Sequence, residues 1–184
     1  MLKSELEAIK SMNYLGRTVI QGRSGGKRAW GNLAWEGQSE AWNILPDGRD
    51  IWDVLQAGDL GALPPCWINI SNTGMYGDLI WNDAVMFSFV SERFVSAIEE
   101  AGFSGYQLRP LEVQPKSGDR FSGYSLLLPD KSDPDAPIRS FPFVHRPTSA
   151  LDISDDVAAA LRHAGVTDFD SEDAGLQAVR VIEA

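Results

Sequence analysis

The feature that most constrains this chain is a unit of helix grammar that occurs twice. SERFVSAIEEAGFSGY, at Ser91–Tyr106, aligns without gaps over SDDVAAALRHAGVTDF, at Ser154–Phe169. Each copy opens on a Ser, whose hydroxyl can accept an otherwise orphaned amide of the first helical turn. An apolar stripe follows: Phe94, Val95, Ile98 and Ala101 in the first copy, Val157, Ala158, Leu161 and Ala164 in the second. Gly102 and Gly165 then stand where a helix ends on a left-handed residue, and an apolar run leads out as a strand. Two readings of the recurrence stay open. It is a duplicated unit giving a pseudo-symmetric sheet, or two helices obeying the same rules of cap, stripe and stop.

Two amphipathic helices that each feed a strand place the chain in the α+β class. The expectation is a single domain, 1–184, with a mixed or antiparallel sheet and two main helices packed on it. Residues 1–15 add a short N-terminal helix, since Leu2, Leu6 and Ile9 share one stripe. Strand patterns cover Arg17–Gln21 and Ala29–Trp35, separated by a Gly-rich turn that would make them a hairpin. Others cover Cys66–Ile70, Ala84–Val90, Tyr106–Val113, Phe121–Leu128 and Arg139–Val144, with a last short one at Val179–Ile182. Pro110 points to an edge or a bulge within its strand. A helix is predicted over Ile51–Gln56 with Asp50 as its cap. Residues 129–137, PDKSDPDAP, read as a polar Pro-rich loop.

Charge narrows the partners. The chain of 184 residues carries 16 Lys and Arg against 26 Asp and Glu, a net −10. Residues 36–59 hold six acids and only Arg49, and residues 150–184 hold eight acids and two Arg. Such a surface repels phosphate backbones, which argues against nucleic acid, and steers basic protein surfaces inward. The start, MLKSELEAIKSM, is charged and lacks the apolar core of a secretory signal, and no run of 18 apolar residues exists. The expectation is a cytoplasmic protein without a membrane span, monomeric or a homodimer.

The search for chemistry returns little. Gly22–Lys27 fails as a phosphate loop, because Gln21 stands where the first Gly belongs and Arg28 where Ser or Thr should hold magnesium. Asp168–Glu172 begins like a calcium loop, yet Asp173 takes the place of its Gly and Val179 that of its final Glu, so an acidic solvated loop is expected. Cys66, His145 and His163 are too few for a structural zinc site. Cys66 reads as a small core residue. No catalytic, cofactor or metal residue is assigned. The alternative that stays open is an enzyme or ligand-binding site assembled only in the fold, near His145 or Cys66.

The most unusual local composition lies at Trp30–Asp53. Trp30, Trp35, Trp42 and Trp52 are interleaved there with Glu36, Glu40, Asp47, Asp50 and Asp53. Trp is enriched in binding hot spots, and acids around it suit a basic partner. The candidate partner-binding residues are therefore Trp35, Glu36, Glu40, Trp42, Asp47, Asp50, Trp52 and Asp53. The competing reading is that these Trp side chains fill the core of a segment short of aliphatics.

The stretch Gly74–Val113 carries a resemblance. Its turn with Gly77, then Trp81, a β run, Ser91-Glu92, Phe94, Ala101-Gly102, Gly105, Pro110 and Glu112 resemble a superfamily of immunity proteins from bacterial polymorphic toxin systems. That superfamily includes relatives once filed as domains of unknown function and a myxobacterial group with two Cys-x-x-Cys-Gly motifs. Both motifs are missing here, so no metal site is implied. The resemblance implies a non-catalytic protein that neutralises a cognate toxin by direct binding.

Overall fold

The computed structural model describes residues 13–23, 27–38, 43–82, 87–130, 133, 135–140 and 150–174. Residues 1–12 of the N-terminal helix expected over 1–15, Glu40, Trp42, His145 and the strand at Val179–Ile182 lie outside the described residues, and residues 13–15 are not helical. In chain order the elements are β1 (Arg17–Gln21), β2 (Gly31–Trp35), α1 (Ile51–Gln56), a 3₁₀ turn (Leu60–Ala62), β3 (Cys66–Ile70), β4 (Leu79–Ile80) and β5 (Ser88–Ser91). There follow α2 (Glu92–Glu100), β6 (Tyr106–Gln114), β7 (Phe121–Pro129), β8 (Ile138–Ser140), β9 (Leu151–Ser154), α3 (Asp155–His163) and β10 (Asp170–Asp173).

The strands form two sheets where one was expected. The larger runs β2-β3-β6-β7-β5-β4 and the smaller β10-β1-β9-β8. All pairings are antiparallel except β3 with β6. The predicted β1–β2 hairpin does not form, because β1 pairs with β9 and β10 while β2 pairs with β3. The acidic stretch after α3 is a strand rather than a loop. It lies at a sheet edge, where charged side chains are tolerated and discourage unwanted pairing. Pro110 pairs with Ser125 of β7, and the register shifts just beyond it, between Leu111 and Val113. β3 joins the other side of β6 only from Glu112 onward, so the missing amide of Pro110 costs no ladder bond there.

The larger sheet curls until its two ends meet. The amide of Gly31 donates to the Trp81 carbonyl at 2.9 Å and that of Ala29 to the Met75 carbonyl at 2.9 Å. This seam leaves a barrel-like interior filled by Leu33, Ile68, Ile70, Ile80, Phe89, Leu111, Val113, Leu126 and Leu128, with Trp35, α1 and the 3₁₀ turn packed against it. Gly31 is required by that crowding, since a Cβ on it would come within 2.7 Å of Ile68 Cγ2. α1 starts as predicted, with the Asp50 side chain accepting from the Trp52 amide.

A second core forms where the helices meet. α2 packs on β5 and β7, α3 on β1 and β9, and the helices pack on each other. Phe94 and Ile98 of α2 and Val157 and Leu161 of α3 are fully buried there with Ile20, Val90, Leu127, Ile138 and Ile153 from both sheets. Burying such side chains contributes about 1.5–3 kcal/mol each.

The two recurring units are equivalent in three dimensions. The Ser91 hydroxyl accepts from the Phe94 amide, and the Ser154 hydroxyl from the Val157 amide. Gly102 and Gly165 close the helices at φ 76° and 70°. Each unit straddles an antiparallel strand: β5 and β6 flank β7, β9 and β10 flank β1. The registers coincide too. Ser91 pairs with Tyr124 and Gln107 with Leu128, so 16 residues along the unit match 4 along β7. Ser154 pairs with Arg17 and Asp170 with Gln21, again 16 against 4. Shared helix grammar alone does not produce equal strand registers. The repeat is therefore a property of the fold, with the central strand following its unit in one copy and preceding it in the other.

Candidate functional site

The candidate residues of the Trp-rich acidic segment divide between scaffold and surface: Trp35 and Trp52 pack inward, while Glu36, Asp47 and Asp53 stay exposed. Trp35 is 3% exposed in the barrel core and presents no ring face to a partner. Trp52 packs half-buried against the same core. Asp50 is held by α1, accepting from the Trp52 amide and from Asn43 Nδ2, each at 2.8 Å. Asp47 takes two hydrogen bonds from the Arg49 guanidinium, which holds its carboxyl below the ordinary aspartate range. Glu36 and Asp53 are exposed. Glu40 and Trp42 lie outside the described residues. The reason is the α1 docking: the Trp residues are what that irregular segment has to bury.

Exposed apolar side chains gather instead at the barrel seam. Trp30, Met75 and Tyr76 are 42%, 57% and 37% exposed. Ala29 and Gly31 point into the core, so the alternation of an extended chain turns Arg28 and Trp30 outward. Arg28 bridges Met75 and Trp30 bridges Trp81 across the seam, which sets Met75 and Trp81 on the same outer side. The Trp30 and Trp81 rings stack at 4.8 Å in a tilted pair. Tyr76, next in the chain, instead sets its ring 5.1 Å from Phe121 and 6.5 Å from Tyr124, both of which pack against the barrel core. Asn72 fastens the seam by accepting from the Trp30 amide and donating to the Arg28 carbonyl.

A lattice of charged groups borders this patch and ties the two sheets together. Asp78, 3% exposed, accepts from Ser91 Oγ at 3.0 Å and from Arg93 Nε and Nη2, and from the amides of Thr167 and Asp168 at 3.2 Å each. Burial alone would raise its pKa. The hydrogen bonds from Arg93, the Asp168 amide and Ser91 outweigh that and hold it below the ordinary range. Asp168 pairs with Arg28 and, at 3.4 Å, with Arg23, which also faces Asp170 at 3.4 Å. The Tyr124 hydroxyl donates to the Gly77 carbonyl at 2.8 Å, and burial, with Asp78 nearby, pushes its pKa up to about 12. The lattice is structural: every carboxylate in it is matched by donors.

A second charged cluster sits on the smaller sheet. Asp152, fully buried, lies between Arg17 at 2.7 Å and Arg139 at 2.5 Å, and Arg17 also donates to the Ala136 carbonyl. This triad clamps β1, β8 and β9. The chemistry-bearing residues of the sequence reading offer little: burial pushes the Cys66 thiol up, away from the thiolate a nucleophile needs, and His163 is exposed on α3. A cavity lined by Val19, Gln21, Asp170, Ser171 and Glu172 measures about 90 Å³, room for water rather than a metabolite. Among the described residues, no group of three or more His, Cys, Asp or Glu is placed to hold a metal ion, and no helix is long and apolar enough to cross a membrane.

Neither protein-family models nor curated proteins match this chain.

Sequence reasoning missed the seam patch, although its members were visible singly. Trp30 belonged to the Trp cluster, and Gly77 and Trp81 carried the resemblance. Nothing local said that residues 27–31 and 75–81 would meet, because the contact depends on the curl of a six-stranded sheet.

Proposed function

We propose that the protein binds a cognate toxin polypeptide and neutralises it by direct contact, with no chemistry of its own. The observation that carries the reading is the grouping of Trp30, Met75 and Trp81 on the outer side of the seam in a chain of net charge −10. Exposed apolar patches rimmed by polar groups are where proteins meet other proteins. The resemblance of Gly74–Val113 to polymorphic-toxin immunity proteins supports the choice of a toxin as partner. Its matching residues divide between scaffold and surface: Ser91, Phe94 and Gly102 build α2, while Trp81 stands in the seam patch.

The test is co-expression with the polypeptide encoded beside the gene for this chain. The expected outcome is restored growth when the two are made together, and a stable complex on size-exclusion chromatography. Unrelieved toxicity, or a neighbour that neither harms the host nor binds, would end the reading.

A further inference from the structure

We infer that β10 is a releasable strap: it lifts off β1 as a local unit, swinging from a fixed point at Asp168, while the rest of the fold stays closed. First, the strand keeps its place without a core. Its residues, Asp170, Ser171, Glu172 and Asp173, include no apolar side chain; three are exposed and Glu172 is half-buried. β8, at the other edge of the same sheet, instead sinks Ile138 fully into the helix core. Segments with little buried apolar surface open locally at a fraction of the cost of global unfolding.

Second, the junction with β1 is incompletely packed. Val19 pairs with Glu172 and Gln21 with Asp170, and the cavity of about 90 Å³ lies along these pairs. Side-chain atoms that border a void forfeit dispersion contacts on that side. The opposite edge of β1 is held by stronger means: Arg17 pairs with the fully buried Asp152, and Leu151 and Ile153 of β9 are buried in the helix core. Of the two ladders that β1 makes, the one to β10 is therefore the weaker.

Third, the strap has unequal ends. At its start Asp78 accepts from the amides of Thr167 and Asp168, Asp168 pairs with Arg28, and Phe169 packs against the helix core. At its far end Ala174 is fully buried but offers a single methyl. A β-strand is already close to full extension and cannot bow between two fixed ends, so the lighter end lets go. Glu172 and Asp173 are partnered as well, yet polar pairing near the surface is worth little beside apolar burial. With β10 away, β1 turns from a central strand into an edge strand, the position at which a sheet can add another. Release of the strap thus controls access to an edge that the closed fold keeps covered.

Native-state hydrogen exchange on the full chain, at rising sub-denaturing urea, tests this through the amides that pair β1 with β10. They are expected to exchange roughly a hundredfold or more faster than the amides joining β6 and β7, with little dependence on urea. Thr18 and Asp173 are direct cross-strand partners. Such Cα atoms lie about 4.5–5.5 Å apart, which suits a disulfide. Thr18→Cys combined with Asp173→Cys, once oxidised, should slow the same amides to the rates of the β6–β7 ladder, and reduction should restore fast exchange. Parent amides of the β1–β10 ladder that exchange at β6–β7 rates with the same urea dependence would overturn the inference. So would a cross-link that leaves their exchange as fast as before.

Discussion

Asp78 offers the sharpest test of how the two sheets are joined. Replacing it with Ala removes a carboxylate that is 3% exposed and accepts from Ser91, Arg93 and two backbone amides. The Ser91 hydroxyl keeps its capping bond to the Phe94 amide and loses little. Arg93 is 57% exposed, so water takes over its donors, and its share is under about 1 kcal/mol. The amides of Thr167 and Asp168 are different, because among the described residues only Asp78 accepts from them. Stranding a partly buried donor costs about 1–3 kcal/mol, so the pair plus the small Arg93 share comes to about 2–7 kcal/mol. Asp78→Asn keeps the shape but turns an amide donor toward donors, and is expected to cost about 2–3 kcal/mol. Arg93→Ala should cost less than about 1 kcal/mol. Urea unfolding followed by Trp fluorescence measures all three, and hydrogen exchange should rise first over residues 166–170. Asp78→Asn within about 0.5 kcal/mol of the parent, or Arg93→Ala as costly as Asp78→Ala, would refute the accounting. pH supplies an independent check. The folded pKa of Asp78 is depressed, so its contribution is complete above the ordinary aspartate value of about 3.9 and is lost as pH falls below that through the folded value. The gap between parent and Asp78→Asn should therefore narrow in acid.

Other expectations follow from the same geometry. Ser91→Ala and Ser154→Ala should each cost about 1 kcal/mol, and by similar amounts, in thermal melts, because the two caps are equivalent. Gly102→Ala and Gly165→Ala should each lose about 1 kcal/mol in the same melts from left-handed strain alone, since a Cβ at either meets nothing within 4 Å. Arg109 donates to the carbonyls of Leu60, Leu63 and Pro64 at 2.7–3.0 Å, so Arg109→Ala should cost about 2–3 kcal/mol and speed hydrogen exchange over residues 58–66. Absorbance titration should show Tyr14 and Tyr124 ionising near pH 12, later than an ordinary tyrosine. Both folded values are raised, so their stabilisation is complete below about pH 10 and is lost as pH climbs through 12.

What the sequence disclosed was local. The Ser caps, the Gly stops, Asp50 before α1 and the irregularity near Pro110 are all set by residues a few places apart, and the structure has them where the pattern puts them. What escaped was set by distance. Val19 and Ile20 read as one arm of a hairpin because a Gly-rich turn follows, yet their partners are Asp152, Leu151, Glu172 and Ser171. Asp168–Glu172 looked like a solvated loop because its side chains are mostly polar, while pairing belongs to the backbone and the edge position of Asp170–Asp173 accepts such side chains. The Trp cluster was legible as unusual, but spacing does not say which face a ring takes. Trp35 and Trp30 lie on neighbouring stretches of one strand path, and one is buried while the other is open.

The matched registers of the two units hide an asymmetry in time. Ser91 finds its partner strand at Tyr124, 33 residues later, whereas Arg17 waits for Ser154, 137 residues on. Closing the longer loop costs more entropy and delays pairing. On a ribosome, β5, α2, β6 and β7 emerge in succession and can close as they appear. β1 is among the first strands made and among the last to be paired, with Ile20 in need of shelter throughout. A nascent chain halted near residue 150 would thus carry one finished unit and one orphan strand, and that interval is where a chaperone would find this protein.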